Sequence, residues 1–181
     1  ESVEYVLTDE EKTIHWFNLI AGQLDYTIAG LNYIFCNDTY LHQINVEYLN
    51  HDTLTDIITF DNSEERQMIE GDIFISIDRV RENAAIFNVS FETELNRVMA
   101  HGLLHLLGYG DKTETEKQEM RFRENQALAL WKSLNWRRYN YSPPIQTTLY
   151  YIKKHQAKSL MFYYFFTYYI YDPLVSGTLF V

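Results

Sequence analysis

The chain has 181 residues, 46% of them hydrophobic and 22% charged, which suits a globular domain with a buried core and argues against a disordered or fibrous chain. Its formal net charge of −10 argues against general affinity for nucleic acid or anionic membrane, since such binding draws on Lys and Arg contacts to phosphate; a nucleic-acid role needs a local cationic patch. Cys36 is the only cysteine, so an intramolecular disulfide is excluded, and no basic region followed by an apolar run opens the chain; the expected location is the cytoplasm.

From the amino terminus, "VEYVL" (3–7) reads as a first strand. "TDEEKTIHWFNLIAGQ" begins with Thr8 and places Glu11 three residues on, a capping-box pattern, with Ile14, Phe17 and Ile20 on a helical repeat. "LNYIFC" (31–36) reads as a strand and "NDTYLHQINVEYL" as a helix capped by Asp38. "TDIITF" (55–60) and "GDIFIS" (71–76) are β-branched or aromatic runs, hence two more strands. A helix from Asp78 to Phe87 follows. Ser90, with Glu92 and Glu94, then opens a longer helix that carries His101 and His105 and stops at Gly108. Thr113 and Glu116 form a second capping box that starts the last helix, through "EKQEMRFRENQALALWKSL". The order β-α-β-α-β-β-α-α-α predicts an α+β domain, a small four-stranded sheet packed by about five helices, with the long fourth helix carrying the chemistry.

Residues 1–138 hold 24 of the 25 acidic residues, while 139–181 keep only Asp172 and carry nine of the fifteen tyrosines. Pro143 and Pro144 in "YSPPIQ" would interrupt a helix, so the expected organisation is a domain over 1–138 and an aromatic-rich tail over 139–181. The tail run "SLMFYYFFTYYIY" falls short of the roughly 20 apolar residues a spanning helix needs, and hydrocarbon would not satisfy its tyrosine hydroxyls. Two readings stay open: an aromatic strand or helix packed on the body, or a read-through or frame-shifted end without function. The abrupt change in composition favours the second.

His101 and His105 lie one helical turn apart, and two imidazoles at this spacing converge on a point about 2 Å from each coordinating nitrogen. The alternative is a pair of helix-edge histidines bonded to backbone or solvent. Gly102 and Gly108 tilt the balance toward a site, the first by permitting close backbone approach and the second by ending the helix with a left-handed residue. Such a stop would return the chain so that Asp111 supplies a third ligand, leaving a position open for water.

"HGLLHLLGYGD" resembles the signature H-G-x-L-H-L-x-G-Y-D-H of the YbeY family of bacterial metal-dependent endoribonucleases. "INVEYLNHDTLTDIITF" is similar to the family segment L-N-x-x-Y-R-x-x-D-x-x-T-D-V-L-S-F, and "EGDIFIS" to its G-D-I-x-I-S strand, in the same order and spacing. The resemblance implies one zinc ion held by three histidines, with His101 and His105 matching the first two and Asp111 standing at the third. It implies a single-strand-preferring endoribonuclease acting in 16S rRNA 3′-end maturation and ribosome quality control. The implied partners are ribosomal RNA, the small ribosomal subunit and a ribosome-assembly GTPase, with no membrane and no DNA.

Two departures stand out. Asp111 replaces imidazole with a harder, negatively charged oxygen, so another divalent ion could serve, although zinc remains the expectation. Leu49 stands where the family segment has Arg, and leucine cannot stabilise charge developing on phosphate; Arg97 and Lys112 are the nearest cations in sequence to the metal motif. No general base is evident, and Gly102 occupies the place where an HExxH peptidase carries Glu. Thr55, Asp56 and Asp72 match family positions but equally suit local backbone bonding, with Asp72 the one that could reach the site indirectly. His51 could line a cleft or simply be solvated.

The expected cationic face comprises Arg121, Arg123, Lys132, Arg137 and Arg138, with Trp131 and Trp136 for base stacking, against the alternative of an ordinary solvated helix face. A competing function keeps the fold and drops the chemistry, as a ribosome-assembly or RNA-binding factor whose metal is structural or absent.

Overall fold

A computed structural model describes Tyr5, residues 7–134, and the backbone of 149–151 and 179–180. Five helices and a mixed sheet follow in the order α1 (Glu10–Gly22), β1 (Thr27–Cys36), α2 (Asp38–Leu49), β2 (Ile57–Asp61), β3 (Met68–Ser76), α3 (Ile77–Ile86), α4 (Phe91–Leu106), α5 (Glu114–Ser133), β4 (Leu149–Tyr151) and β5 (Leu179–Phe180). The architecture is α+β, as the alternation of periods in the sequence predicts.

Three body strands form the centre of the sheet. β1 runs parallel to β3 and β2 antiparallel to it, while β4 and β5 add to the outer edges in the order β4-β1-β3-β2-β5. The expected strand over 3–7 is not among them: residues 1–4 and 6 lie outside the described residues, and Tyr5 and Leu7 belong to no strand. The Tyr5 ring instead sits edge-on to Phe35 and Phe91, at 5.2 and 5.6 Å between ring centres.

Alternation along the strands splits the apolar residues into two clusters. Tyr33, Ile73 and Ile75 face a core built from α1, α4 and α5, whereas Ile34, Ile58 and Phe74 face α2 on the other side. α4 supplies Leu95, Met99, Leu103 and Leu104 to the first core, each at most 2% exposed. Complete burial of each such side chain stabilises by roughly 1.5–3 kcal/mol, so α4 is fixed by the sheet rather than by its own propensity. Two polar side chains secure the layers: the Tyr33 hydroxyl donates to the Met99 carbonyl at 2.8 Å, and the Trp16 indole donates to the Ala127 carbonyl at 2.8 Å.

At Gly102 α4 lies close against the sheet. A Cβ there would stand 2.8 Å from Ile57 Cδ1 and 3.0 Å from Ile73 Cγ2, which gives the glycine its packing reason. Gly108 adopts φ +91°, the left-handed stop expected from the sequence.

The expected caps hold at Ser90 and Thr113, the latter with both bonds of a capping box to Glu116. Two others shift by one residue. Asp9, not Thr8, occupies the N-cap of α1 and makes no side-chain cap bond, and Asn37, not Asp38, caps α2 by accepting from the Tyr40 N–H. Asp38 has other partners: it accepts from the Arg79 guanidinium at 2.8 Å and from the Ser76 hydroxyl, joining the starts of α2 and α3.

Candidate metal centre

α4 carries His101 and His105 on one face, and the turn after Gly108 returns Asp111 to them. The His101 Nε2 and His105 Nε2 atoms lie 2.9 Å apart, and Asp111 Oδ2 is 3.7 Å from the first and 3.8 Å from the second. Ligands bound at 2.0–2.2 Å in a tetrahedral arrangement stand about 3.3 Å from one another. Shifts of a few tenths of an ångström would therefore close the three donors around an ion, and His101, His105 and Asp111 form a group able to hold one.

The other ring nitrogens explain why the Nε2 atoms converge. His105 Nδ1 donates to the Tyr109 carbonyl at 2.8 Å, and His101 Nδ1 bonds to Glu124 Oε1 at 2.9 Å. Partners at Nδ1 turn the Nε2 of each ring to the shared point, where the 2.9 Å Nε2–Nε2 hydrogen bond carries one proton that a bound ion would displace. His105 is nearly inaccessible, with a side chain 1% exposed. Burial, followed by the charge of His101, pushes its pKa down to about 4, so the imidazole is neutral and competent to ligate at neutral pH.

Glu124 was not apparent as a site residue in the sequence, although a signal existed. It falls on the buried stripe of α5 with Met120, Ala127 and Trp131, where an acidic residue needs a partner. Its second oxygen is 3.0 Å from Arg97 Nη1 and 3.2 Å from Arg121 Nη1. Burial acts to raise the Glu124 pKa, but the bond to His101, the charges of His101 and Arg121 and the bond from Arg97 outweigh it, holding the carboxyl below its ordinary range. Arg97 also pairs with the buried Glu94 at 3.6 Å, so this guanidinium is committed to two carboxylates. Burial raises the pKa of Glu94 and, ahead of β2, that of Asp56, on which the His101 charge acts in the opposite sense.

The remaining sequence-singled residues are distributed elsewhere. Asp72 accepts from Asn32 at 2.6 Å and Asn62 at 2.9 Å, on the sheet face shared with Phe74 and turned away from α4. Thr55 Oγ1 donates to the Ile57 carbonyl at 3.1 Å, and Asp56 accepts from Asn83 at 3.1 Å. Leu49 packs against the α2-side cluster, an apolar setting. His51 is exposed.

The stacking role expected of Trp131 is corrected by its environment. The ring is 8% exposed, edge-on to Trp16, with Lys12 Nζ 3.8 Å from its centre, so no base can reach its face. Arg137, Arg138 and Trp136 lie outside the described residues. Of the described cations, Arg121 is 58% exposed, whereas Arg123 bonds Glu119 at 2.6 Å and lies over the Tyr109 ring at 5.2 Å.

An α+β fold presenting two oriented imidazoles and a returning carboxylate from a sheet-packed helix defines a protein built around a candidate three-donor metal centre. The family described as Endoribonuclease YbeY matches residues 5–132, and the chain belongs to that family. An Endoribonuclease YbeY of Cytophaga hutchinsonii is 54% identical over 132 residues, covering 73% of this chain and 92% of the relative. One of Flavobacterium johnsoniae is 49% identical over 128 residues, covering 71% and 91%. A solution structure of a Thermotoga maritima protein aligns at a TM-score of 0.53 and 28% identity, over 71% of this chain and 83% of that one. No helix among the described residues is long and apolar enough to cross a membrane.

Proposed function

We propose that this chain is an endoribonuclease that hydrolyses phosphodiester bonds of single-stranded RNA with one divalent ion, zinc, held by His101, His105 and Asp111. The observation that carries the metal assignment is the engagement of both Nδ1 atoms from outside, which leaves two Nε2 atoms and a carboxylate oxygen aimed at one point. Family membership supports RNA as the substrate.

When bound, the ion supplies Lewis-acid activation of water and of the phosphoryl group. The chain's own residues do the rest. His101 and His105 each turn Nε2 to the shared point, and burial keeps His105 neutral and from acting as a proton donor near neutrality. Asp111 adds a negative charge that an imidazole would not, lowering the electrophilicity of whatever it binds. Glu124 holds the orientation of His101, and Arg97 with Arg121 keeps that carboxylate ionised. Gly102 puts no carboxylate beside His101, which weighs against peptidase chemistry of the HExxH kind.

Within this reading the substrate is ribosomal RNA in the small subunit, at the stage of 16S 3′-end maturation and quality control, with a ribosome-assembly GTPase as a further partner and the cytoplasm as the location. Residues 1–138 form the functional unit and 139–181 an aromatic-rich tail, of which 149–151 and 179–180 extend the two sheet edges. A second reading, a non-catalytic RNA-binding assembly factor, is favoured by Leu49 lying in an apolar cluster and by Arg97 being committed to Glu94 and Glu124.

Metal content of the purified chain, followed by RNA cleavage by the wild type and His101→Ala, separates the two. Stoichiometric metal and cleavage lost in the variant support the nuclease. Stoichiometric metal with cleavage no greater than that of His101→Ala supports the assembly factor.

A further inference from the structure

We propose that the groove between α1 and α5 seats one unpaired base of the RNA, with Arg123 holding the phosphate of that nucleotide. The proposal rests on the endoribonuclease reading and gives it a specificity site. The groove encloses a cavity of about 320 Å³ with Ile20, Leu104 and Ala127 as its apolar floor and Gln23, Gln126 and Arg123 at its rim. That volume lies at the small end of ligand sites, about 300–1,000 Å³, and suits a single heterocycle rather than a helix.

Its chemistry matches a nucleotide. Apolar walls accept a flat ring, two carboxamides offer paired donors and acceptors to the edge of a base, and a guanidinium suits phosphate. A base must leave its stack to enter, which duplex RNA resists and single-stranded RNA permits.

The groove and the candidate metal centre share two helices, α4 and α5, and the turn that holds Tyr109. Leu104 immediately precedes His105, and Arg123 immediately precedes Glu124, which bonds His101. The Arg123 guanidinium lies 5.2 Å from the Tyr109 ring centre and 5.9 Å from that of Phe122, which is 54% exposed. Tyr109 is itself fixed, its carbonyl bonded by His105 Nδ1 and its N–H donated to the Leu104 carbonyl at 3.0 Å. Glu119 takes the Arg123 Nε–H at 2.6 Å, which orients the guanidinium and leaves its two Nη groups for a phosphate. Tyr109 thus connects a ligand imidazole to the rim of the groove.

The test uses the full chain loaded with zinc and short fluorescent single-stranded RNAs in which each position around the cleaved bond carries each of the four bases. Gln23 and Gln126 are exposed, so the double variant Gln23→Ala/Gln126→Ala does not touch the core. The wild type is expected to prefer one base at one position about tenfold or more. The double variant loses that preference, with KM for the preferred RNA rising about tenfold and kcat changing less than about twofold, the effect of two hydrogen bonds. Arg123→Gln raises KM for all bases alike, roughly five- to tenfold, as loss of a phosphate contact does.

An unchanged base preference and KM in the double variant overturn the proposal, as does a wild type with no base preference at any position; either result leaves the nuclease standing. Fluorescence anisotropy of the metal-free chain on the same RNAs is measured in parallel. Base-selective binding that the double variant abolishes, without cleavage by the loaded wild type, supports the groove and overturns the nuclease. Absence of any RNA binding overturns both.

Discussion

Glu124→Gln isolates what the carboxylate contributes to the metal centre. Glutamine keeps the shape and an acceptor oxygen within reach of His101 Nδ1, now 2.9 Å from Glu124 Oε1, but removes the charge. It also weakens the pairing with Arg97 and Arg121, at 3.0 and 3.2 Å from the other oxygen. The amide can rotate and present its NH2 group to Nδ1, favouring the tautomer whose proton sits on Nε2 and blocks ligation. Loss of such an orienting partner costs about 10- to 100-fold in metal affinity, or about 1.4–2.8 kcal/mol. Competition with a chromophoric zinc chelator at pH 7.5 measures the affinity, and nitrogen-15 shifts of the His101 ring in the metal-free protein report the tautomer. Circular dichroism checks that the fold is retained. A zinc affinity within twofold of wild type, with the His101 tautomer unchanged, would refute the role assigned to Glu124.

Asp111→Ala removes one of three donors and should weaken zinc binding at least about 100-fold, whereas Asp111→His should retain binding, both readable by the same competition. Gly102→Ala places a methyl group 2.8 Å from Ile57 and 3.0 Å from Ile73, and thermal unfolding should show a loss of about 1–3 kcal/mol. The metal-free protein should lose stability as pH falls from about 6.5 toward 4. The unfolded chain protonates His105 in that window while the folded chain, with its pKa pushed down to about 4, does not. The loss attributable to His105 is at most about 3 kcal/mol, and the difference between denaturation curves of wild type and His105→Gln across the window measures it. A pH-independent difference would contradict the burial assigned to that ring.

The proximity of the three candidate donors was legible in sequence because the parts are local. His101, His105 and the stop at Gly108 lie within one helix and its end, and Asp111 needs only the following turn to reach them. What holds the parts in place was less visible. Glu124 comes from a different helix, and its bond to His101 spans 23 residues that no local period connects. Trp131 misled for a related reason: amphipathic residues near a cationic run resemble a binding face until packing shows that α1 covers the indole with Trp16 and Lys12. Among the elements, β2 and β3 were recognised from their β-branched runs, but Thr27–Gly30 of β1 were missed because Ala29 and Gly30, at a register irregularity, cut the β-branched pair Thr27 and Ile28 off from the rest of the run. The capping differences at Thr8 and Asp38 reflect adjacent residues of nearly equal capping ability. Tertiary partners such as Arg79 decide which residue caps.

The bond from Glu124 to His101 also couples two timescales. An ion at the donor set binds tightly only while α5 is docked, because undocking removes the group that orients one of its ligands. Metal loading would then draw on the same equilibrium that lets α5 open: with binding about 10- to 100-fold weaker in the open state, ion at 100 times its dissociation constant opposes that opening by about 1.3–2.3 kcal/mol. Amide exchange along α5 should slow about 10- to 50-fold on loading if this opening controls it. A helix that contributes no ligand would then be the part of the molecule whose motion reports whether the centre is filled.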